Sequence, residues 1–316
     1  MRALVGRSGT VELVETPDPE PGPGQVRIKV LAAAVQPIDL FTASGGLPGY
    51  GLVQPMESYG LGWDVAGVVD RVGPAPAAPD SGDRVAAPGL GDAVIGLSDR
   101  LPQPVKAQAD YVVLDATAVA PAPAGVPAVR AATLPLNTLT AIQALDLAGL
   151  REGESLLVTG AAGALGGYLV EIAAARGIRV AALAGREDEA LVRGFGAEWF
   201  IPRGTDLSTA VRAAVPGGVD GVVDAALVGL PALDAVRGGG SFVAVGAGQA
   251  PLPLRGVRVS TVFIRADGAQ LAAVSGLAES GRLTMRVADV YKLDEAAEAY
   301  ARMGRGGLRG RLVLVP

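Results

Sequence analysis

Along the first third of the chain, hydrophobic positions come in short runs cut by Gly and Pro. Residues 26–35, VRIKVLAAAV, open with Val26, Ile28 and Val30 alternating with Arg27 and Lys29, the period-two pattern of a strand with one buried face. GWDVAGVVDRVG (62–73), GDRVAA (82–87) and ADYVVLD (109–115) follow at turn-separated intervals, which predicts an all-β barrel or sandwich. PDPEPGPG (17–24) and GPAPAAPDSG (73–82) hold too much Pro and Gly for strands and read as loops.

From about residue 128 the pattern changes. Residues 127–150 contain a helical stretch ending near Gly149, SLLVTG (155–160) is a buried strand, and 164–177 place Leu165, Leu169 and Ile172 on one helical face with Gly177 as the stop. Strands at 179–185, 198–202, 219–226 and 241–248 then alternate with helices at 187–196, 206–215 and 231–239. Such alternation predicts an α/β fold, a Rossmann-type doubly wound parallel sheet with helices on both faces. An apolar strand at 258–266 and helices near 267–280 and 294–303 come next, and the chain ends in RLVLVP. That last strand has no partner in the α/β series and is expected to return to the first domain. The expected division is a β-domain over 1–122, a dinucleotide domain over 123–259 and a return over 260–316.

Composition narrows the chemistry. The chain of 316 residues has no Cys and no His, which removes thiolate nucleophiles, imidazole bases and the usual zinc ligands, so no metal site is expected. Carboxylates, Lys, Tyr, hydroxyls, backbone amides and a borrowed cofactor remain. With 27 basic against 32 acidic residues and no basic block, nucleic acid is not an expected partner. The stretch MRALVGRSGTVELVE lacks the apolar core of a signal peptide, and the uncharged runs 155–170 and 238–254 are short and broken by Gly or Pro. A cytoplasmic protein with no membrane partner is expected.

The strongest chemical signal is the turn 159–167, TGAAGALGG, set between a strand and a helix. Missing side chains let the backbone approach a pyrophosphate, and the helix N-terminus offers free N–H groups and partial positive charge. Ala161, Gly163 and Gly166 fit A-x-G-x-x-G, with Gly160, Ala164 and Leu165 completing the candidate set. The competing reading is that Gly163 and Gly166 only permit close strand–helix packing. At the end of the next strand, where an NAD site places an acid on the ribose diol, stand Ala184, Gly185 and Arg186. Arg186, with Arg203 after the following strand, suits a 2′-phosphate and predicts NADPH. Against this, Arg186 could be a solvated helix-start residue, and Glu187, Asp188 and Glu189 would repel a phosphate that they faced. Gly246, after the last strand of the series, is expected where a nicotinamide crosses.

Taken in order, these residues resemble the medium-chain dehydrogenase/reductase superfamily, and within it the zinc-independent quinone oxidoreductases. Gln36-Pro37-Ile38-Asp39 is similar to the family's N-P-x-D turn, Gly62 through Val69 to its G-x-D-x-A-G-x-V strand, and Gly82-Asp83-Arg84-Val85 to its G-D-R-V. Ala131 through Pro135 with Leu139-Thr140-Ala141, the turn from Gly160 to Gly167, Leu293 to Tyr300 and Gly310-Arg311 continue the likeness over nearly the whole chain. The resemblance implies a GroES-like β-barrel domain built from both chain ends, a Rossmann domain within it, a nicotinamide cofactor and a homodimer. An apolar edge at 258–266 points to the same pairing. The chain departs from the family at Phe41, Ala43 and Leu47, which stand where hydroxyl or ionisable groups are usual, so a less polar substrate pocket is expected.

Three functions follow. The first is an NADPH-dependent reductase of quinones or other conjugated carbonyls, whose oxyanion product needs neither metal nor histidine. The second is an enoyl-thioester reductase, which must place a proton on carbon and is disfavoured by the missing tyrosines. The third is a dinucleotide-binding sensor or scaffold with little catalysis. Asn137 and Thr140 are candidates to orient the nicotinamide or the substrate carbonyl, and Tyr50 and Tyr59 are substitute hydroxyl donors. Capping, packing or surface roles are the alternatives for all four. With His and Cys absent, no side chain is expected to titrate near neutrality in the catalytic step.

Overall fold

The computed structural model describes residues 1–7, 9–75, 88–246, 248 and 250–316, which form two compact units. Met1–Leu136, Arg265–Gly281 and Met285–Pro316 make the first, Asn137–Ile264 with Arg282–Thr284 the second.

The first unit is built on a strand of eleven residues, Gln25–Val35. Val26, Ile28 and Val30 face the core as the alternation requires, and Lys29 is exposed. Arg27 departs from the pattern: it is buried, because Asp70 binds its guanidinium at 2.8 and 3.0 Å and the Tyr111 ring lies 4.9 Å below it. On one side this strand pairs antiparallel with Asp64–Val72, which leads to Ala93–Leu97 and Val119–Pro121. Its first half also pairs with Tyr111–Asp115. Its second half takes the chain's closing strand, Arg311–Val315, in antiparallel register with Val35 opposite Leu312 and Ala33 opposite Leu314. The C-terminus thus completes the N-terminal sheet, as expected from a strand without a place in the α/β series. Val287–Lys292, which the hydrophobic pattern did not single out because its side chains are largely exposed, lies parallel to it at the sheet edge. A small sheet of Thr10–Glu15, Arg2–Arg7 and Tyr59–Gly60 stands beside it. The strand expected over 82–87, with the Gly82 to Val85 motif, lies outside the described residues.

In the second unit six parallel strands run in the order Trp199–Pro202, Arg179–Ala184, Ser155–Thr159, Val219–Asp224, Val236–Ala244, Arg258–Thr261. Ser155–Thr159 comes first in the chain and lies in the middle, so the winding direction reverses between it and Val219–Asp224. Its side chains are buried along its whole length, and Phe242, Leu157 and Val222 centre the core on one face. Two boundaries differ from expectation. The helix expected over 231–239 is only Leu230–Asp234, because Val236 onward joins the sheet as an extended strand. The strand expected over 258–266 stops at Thr261, where pairing with Val236–Ala244 ends. Among the described residues no helix is long and apolar enough to cross a membrane.

Candidate functional site

The winding reversal places the turn after Ser155–Thr159 where α/β sheets hold ligands, beyond the strand ends. Gly160 has φ +65°, a conformation that side chains resist. Gly163 is the N-cap of the helix Ala164–Ala175, and its extended backbone leads the chain into the first turn. A Cβ on Gly166 would lie 2.1 Å from Gly160 O and 2.7 Å from Ala161 Cα, so strand and helix meet only because this residue has none. Gly166 thus provides the close packing, and the first turn of an apolar helix stands just beyond the strand end. Ala161 and Ala164 are buried, and Leu165 is half-buried. Opposite, Thr159 donates to Asp224 Oδ1 at 2.6 Å and accepts from Ala226 N at 2.9 Å. Asp224 in turn accepts from Val228 N and Gly229 N. Every one of these buried polar atoms is matched, so the adjoining loop is held rigidly.

At the end of Arg179–Ala184, Gly185 is buried and Arg186 is exposed. A Cβ on Gly185 would strike the Glu187 carboxylate at 2.5 Å, which shows this acid folded back over the glycine. Asp188 is buried, and Glu189 pairs with Arg193 at 2.9 Å. Arg203 N donates to Ala184 O at 2.8 Å, which brings the two arginines to neighbouring strand ends. Among the described residues neither guanidinium is ion-paired. The residues present fit a dinucleotide. Gly246 is half-buried, two residues beyond Val236–Ala244.

Asn137 and Thr140 lie one turn apart on the helix Pro135–Ala148; both are buried and both already have interaction partners. The tyrosines do different work from each other. Tyr50 is 52% exposed and packs edge-on against Phe41 at 5.3 Å. Tyr59 is buried, and its hydroxyl accepts from Met56 N at 2.8 Å and donates to Gln54 O at 3.4 Å, bracing its own loop.

Sequence reasoning missed a second concentration of chemistry, in the first unit. Asp39 and Asp64 are fully buried. Asp39 accepts from Gln36 N at 2.8 Å, Gly62 N at 2.9 Å and Gln108 Nε2 at 3.3 Å. Asp64 accepts from Gln36 Nε2 at 2.6 Å and from Leu136 N, in the first turn of a helix, at 2.6 Å. Gln108 reaches Ala34 O through Nε2, and its Oε1 accepts from the Tyr300 hydroxyl at 2.7 Å. Burial pushes the Asp64 carboxyl up to about 7 and Asp39 up to about 6, although their hydrogen bonds and Arg311 act in the other direction. Lys106, with Nζ 3.7 Å from the centre of the Trp63 ring, is pushed down to about 8 by burial. Tertiary burial thus moves three ordinary groups toward neutrality, which the sequence pattern did not single out. One signal was available, since a chain with 24 arginines (27 − 3) uses lysine only three times, and Lys106 is one of them.

This cluster sets an unusual pH dependence. Unfolded, both carboxyls titrate near pH ~4. Folded, they keep their protons until about 6 and 7, so stability is full below pH ~4 and declines as pH rises through that window. Lys106, lowered in the folded state, works oppositely and restores stability from pH about 8 toward its unfolded value near ~10.4. Urea midpoints should therefore fall by an amount worth at least ~1 kcal/mol between pH ~5 and ~7.5. Midpoints climbing steadily over that range would contradict it.

Comparison with known proteins agrees with this architecture. Residues 22–124 match the alcohol dehydrogenase GroES-like domain family, and residues 195–314 the family described as zinc-binding dehydrogenase. Zinc does not fit the donor set of this chain, which has neither Cys nor His. The chain is 28% identical over 302 residues to 2-methylene-furan-3-one reductase of Solanum lycopersicum, covering 94% of this chain and 73% of that protein. It is 29% identical over 302 residues to the chloroplastic NADPH-dependent alkenal/one oxidoreductase of Arabidopsis thaliana, covering 94% and 74%. The solved quinone oxidoreductase of Coxiella burnetii superposes with a TM-score of 0.84 at 27% identity, over 100% of this chain and 99% of that one. A GroES-like β-unit completed by the closing strand, a six-stranded sheet with a glycine turn at its winding reversal, and these relatives place the chain in the medium-chain dehydrogenase/reductase superfamily.

Proposed function

We propose that this protein is an NADPH-dependent, zinc-independent reductase of quinones or other conjugated carbonyls. The observation that carries the reading is the Gly160 to Gly166 turn at the winding reversal, in a chain whose relatives are named reductases of alkenals, enones and quinones. Gly160, Ala161, Gly163, Ala164, Leu165 and Gly166 would hold the pyrophosphate, Gly185 and Arg186 with Arg203 the adenosine 2′-phosphate, and Gly246 would border the nicotinamide. When bound, that cofactor supplies a hydride to an electron-poor carbon. Asn137 and Thr140 would orient the amide of the nicotinamide or the acceptor oxygen by hydrogen bonds. Tyr50 and Tyr59, spent on packing and on a loop, are expected to contribute little, so hydroxyl chemistry falls elsewhere. The enoyl-thioester reading needs a positioned acid for carbon, and neither tyrosine offers one.

The same reading includes a homodimer. Arg258–Thr261 is bonded on one side only among the described strands, and Phe263 and Leu252 nearby are 69% and 78% exposed. An apolar sheet edge of this kind is covered by self-pairing. Sedimentation at micromolar concentration should give twice the 31.7 kDa chain mass, and a monomer would exclude it.

A panel of quinones, enones, alkenals and enoyl thioesters, followed by NADPH oxidation, tests the activity. Turnover should be greatest with quinones or enones. Highest turnover with a thioester would favour the enoyl reductase, and none with any acceptor the sensor. For cofactor choice, Arg186→Ala should remove a charge-assisted contact worth about 1.5–3 kcal/mol, weakening NADPH roughly ten- to a hundredfold while leaving NADH nearly unchanged. Equal losses in the two dissociation constants would show that Arg186 does not read the phosphate.

A further inference from the structure

Among the described residues, two with side chains hold a positive φ, Leu227 at +55° and Arg255 at +53°; every other such position is a glycine. A Cβ is strained in this conformation. Arg255 has its compensation, since its guanidinium donates to Asp234 Oδ1 and to Leu233 O, each at 2.8 Å. A leucine has no such bond to make, and Leu227 is 50% exposed, so burial offsets little of its strain. The conformation is imposed from both sides. Ala226 N donates to Thr159 Oγ1 at 2.9 Å, Val228 N and Gly229 N donate to the Asp224 carboxylate at 3.0 and 2.8 Å, and Val228 packs against the core of the second unit. Residue 227 therefore cannot relax without breaking a bond to a buried acceptor, and the strain stays in the native state.

The place of this loop in the sheet suggests what the side chain is for. Ala226 faces the glycine turn, where a Cβ on Gly160 would lie 3.1 Å from Ala226 Cβ. The strand that leads into the loop, Val219–Asp224, stands between Ser155–Thr159, which carries the turn, and Val236–Ala244, which leads to Gly246. Gly185 and Arg186 follow Arg179–Ala184, on the other side of the turn. A dinucleotide with its phosphates at the turn and its adenosine 2′-phosphate at Arg186 would run its other half, the nicotinamide riboside, past Leu227. The C–H faces of a ribose and the flat faces of a nicotinamide are apolar surface that a half-exposed leucine can cover.

Resting on the dinucleotide reading above, we propose that Leu227 is a cofactor-contact residue, held in a strained backbone so that its side chain covers the nicotinamide riboside half of the bound dinucleotide. The cofactor-free protein carries the strain, and apolar contact offsets it on binding. Stability and affinity then pull residue 227 in opposite directions, which a side chain serving only the fold would not produce. Because NADPH and NADH share the half that Leu227 covers, it strengthens both and leaves the choice between them to the other side of the turn.

Three variants of the full chain test this. Leu227→Gly relieves the backbone and removes the side chain, Leu227→Asn tolerates the left-handed conformation without glycine's freedom, and Leu227→Met keeps an apolar side chain. Titrations followed by nicotinamide fluorescence should give dissociation constants for NADPH and NADH about fivefold or more above native in the Gly and Asn variants, and within about twofold of native in Leu227→Met. Adenosine 2′,5′-bisphosphate, which carries the 2′-phosphate but no nicotinamide riboside, should bind all four proteins alike. Cofactor-free Leu227→Gly should unfold at or above the native thermal midpoint. Native affinity for both cofactors in the Gly and Asn variants would overturn the proposal. An equal loss with the bisphosphate, a lowered thermal midpoint or failure to fold in Leu227→Gly, or a change of its sedimenting mass would do the same, by making Leu227 a structural or self-association contact. A native protein that binds neither NADPH nor NADH would overturn the dinucleotide reading and this assignment with it.

Discussion

Two carboxyls buried without solvent contact, Asp39 and Asp64, constrain the first unit more than any apolar contact does. A buried carboxylate costs several kcal/mol unless hydrogen bonds and countercharges compensate it. Here the compensation comes from widely separated parts of the chain: Gln36, Gly62, Gln108, Leu136, and the charges of Lys106 and Arg311. Each donor must arrive in place for the others to be tolerable, so the cluster ties a helix start, two loops, the closing strand and the first turn of a later helix to one point. Arg311 explains why the last strand matters beyond its ladder hydrogen bonds: it carries positive charge back to a site laid down near the N-terminus.

The second unit meets its constraint in the opposite way, by removing side chains. Gly166 lets Ala164–Ala175 touch the strand's end, and the Thr159–Asp224 pair holds the facing loop by matched hydrogen bonds. The first solution gathers ionisable groups in a buried place, and the second brings the first turn of a helix close to a strand end. A chain without His obtains groups that titrate from about 6 to about 8 by burying Asp and Lys.

Much of the fold was legible in the sequence because it rests on short-range pattern. The alternation of Val26, Ile28 and Val30, the strand–turn–helix at Gly160, the series of βα units and the spare final strand all follow from where side chains must point. The close strand–helix contact at Gly166 was legible for the same reason, since its glycines lie within eight residues of sequence. Boundaries failed where tertiary pairing set them: Val236 leaves a helical pattern to join a sheet, and Val287–Lys292 forms on an edge with little burial to mark it. Arg27 broke the alternation because Asp70 and Tyr111, both distant in sequence, supply a partner and a surface.

By itself, then, the sequence determined the fold class, the glycine turn between the first strand and helix of the α/β series, the exclusion of Cys and His chemistry, and the return of the C-terminus to the first domain. Only the tertiary structure decided that Gln36, Asp39, Asp64, Lys106, Gln108 and Tyr300 stand together, that Tyr59 braces a loop, and that Glu187 folds over Gly185. The reason is physical. Side-chain direction and backbone freedom are local properties that residue identity encodes, whereas desolvation and the charge facing a group depend on segments up to 192 residues apart, as in the Tyr300–Gln108 bond.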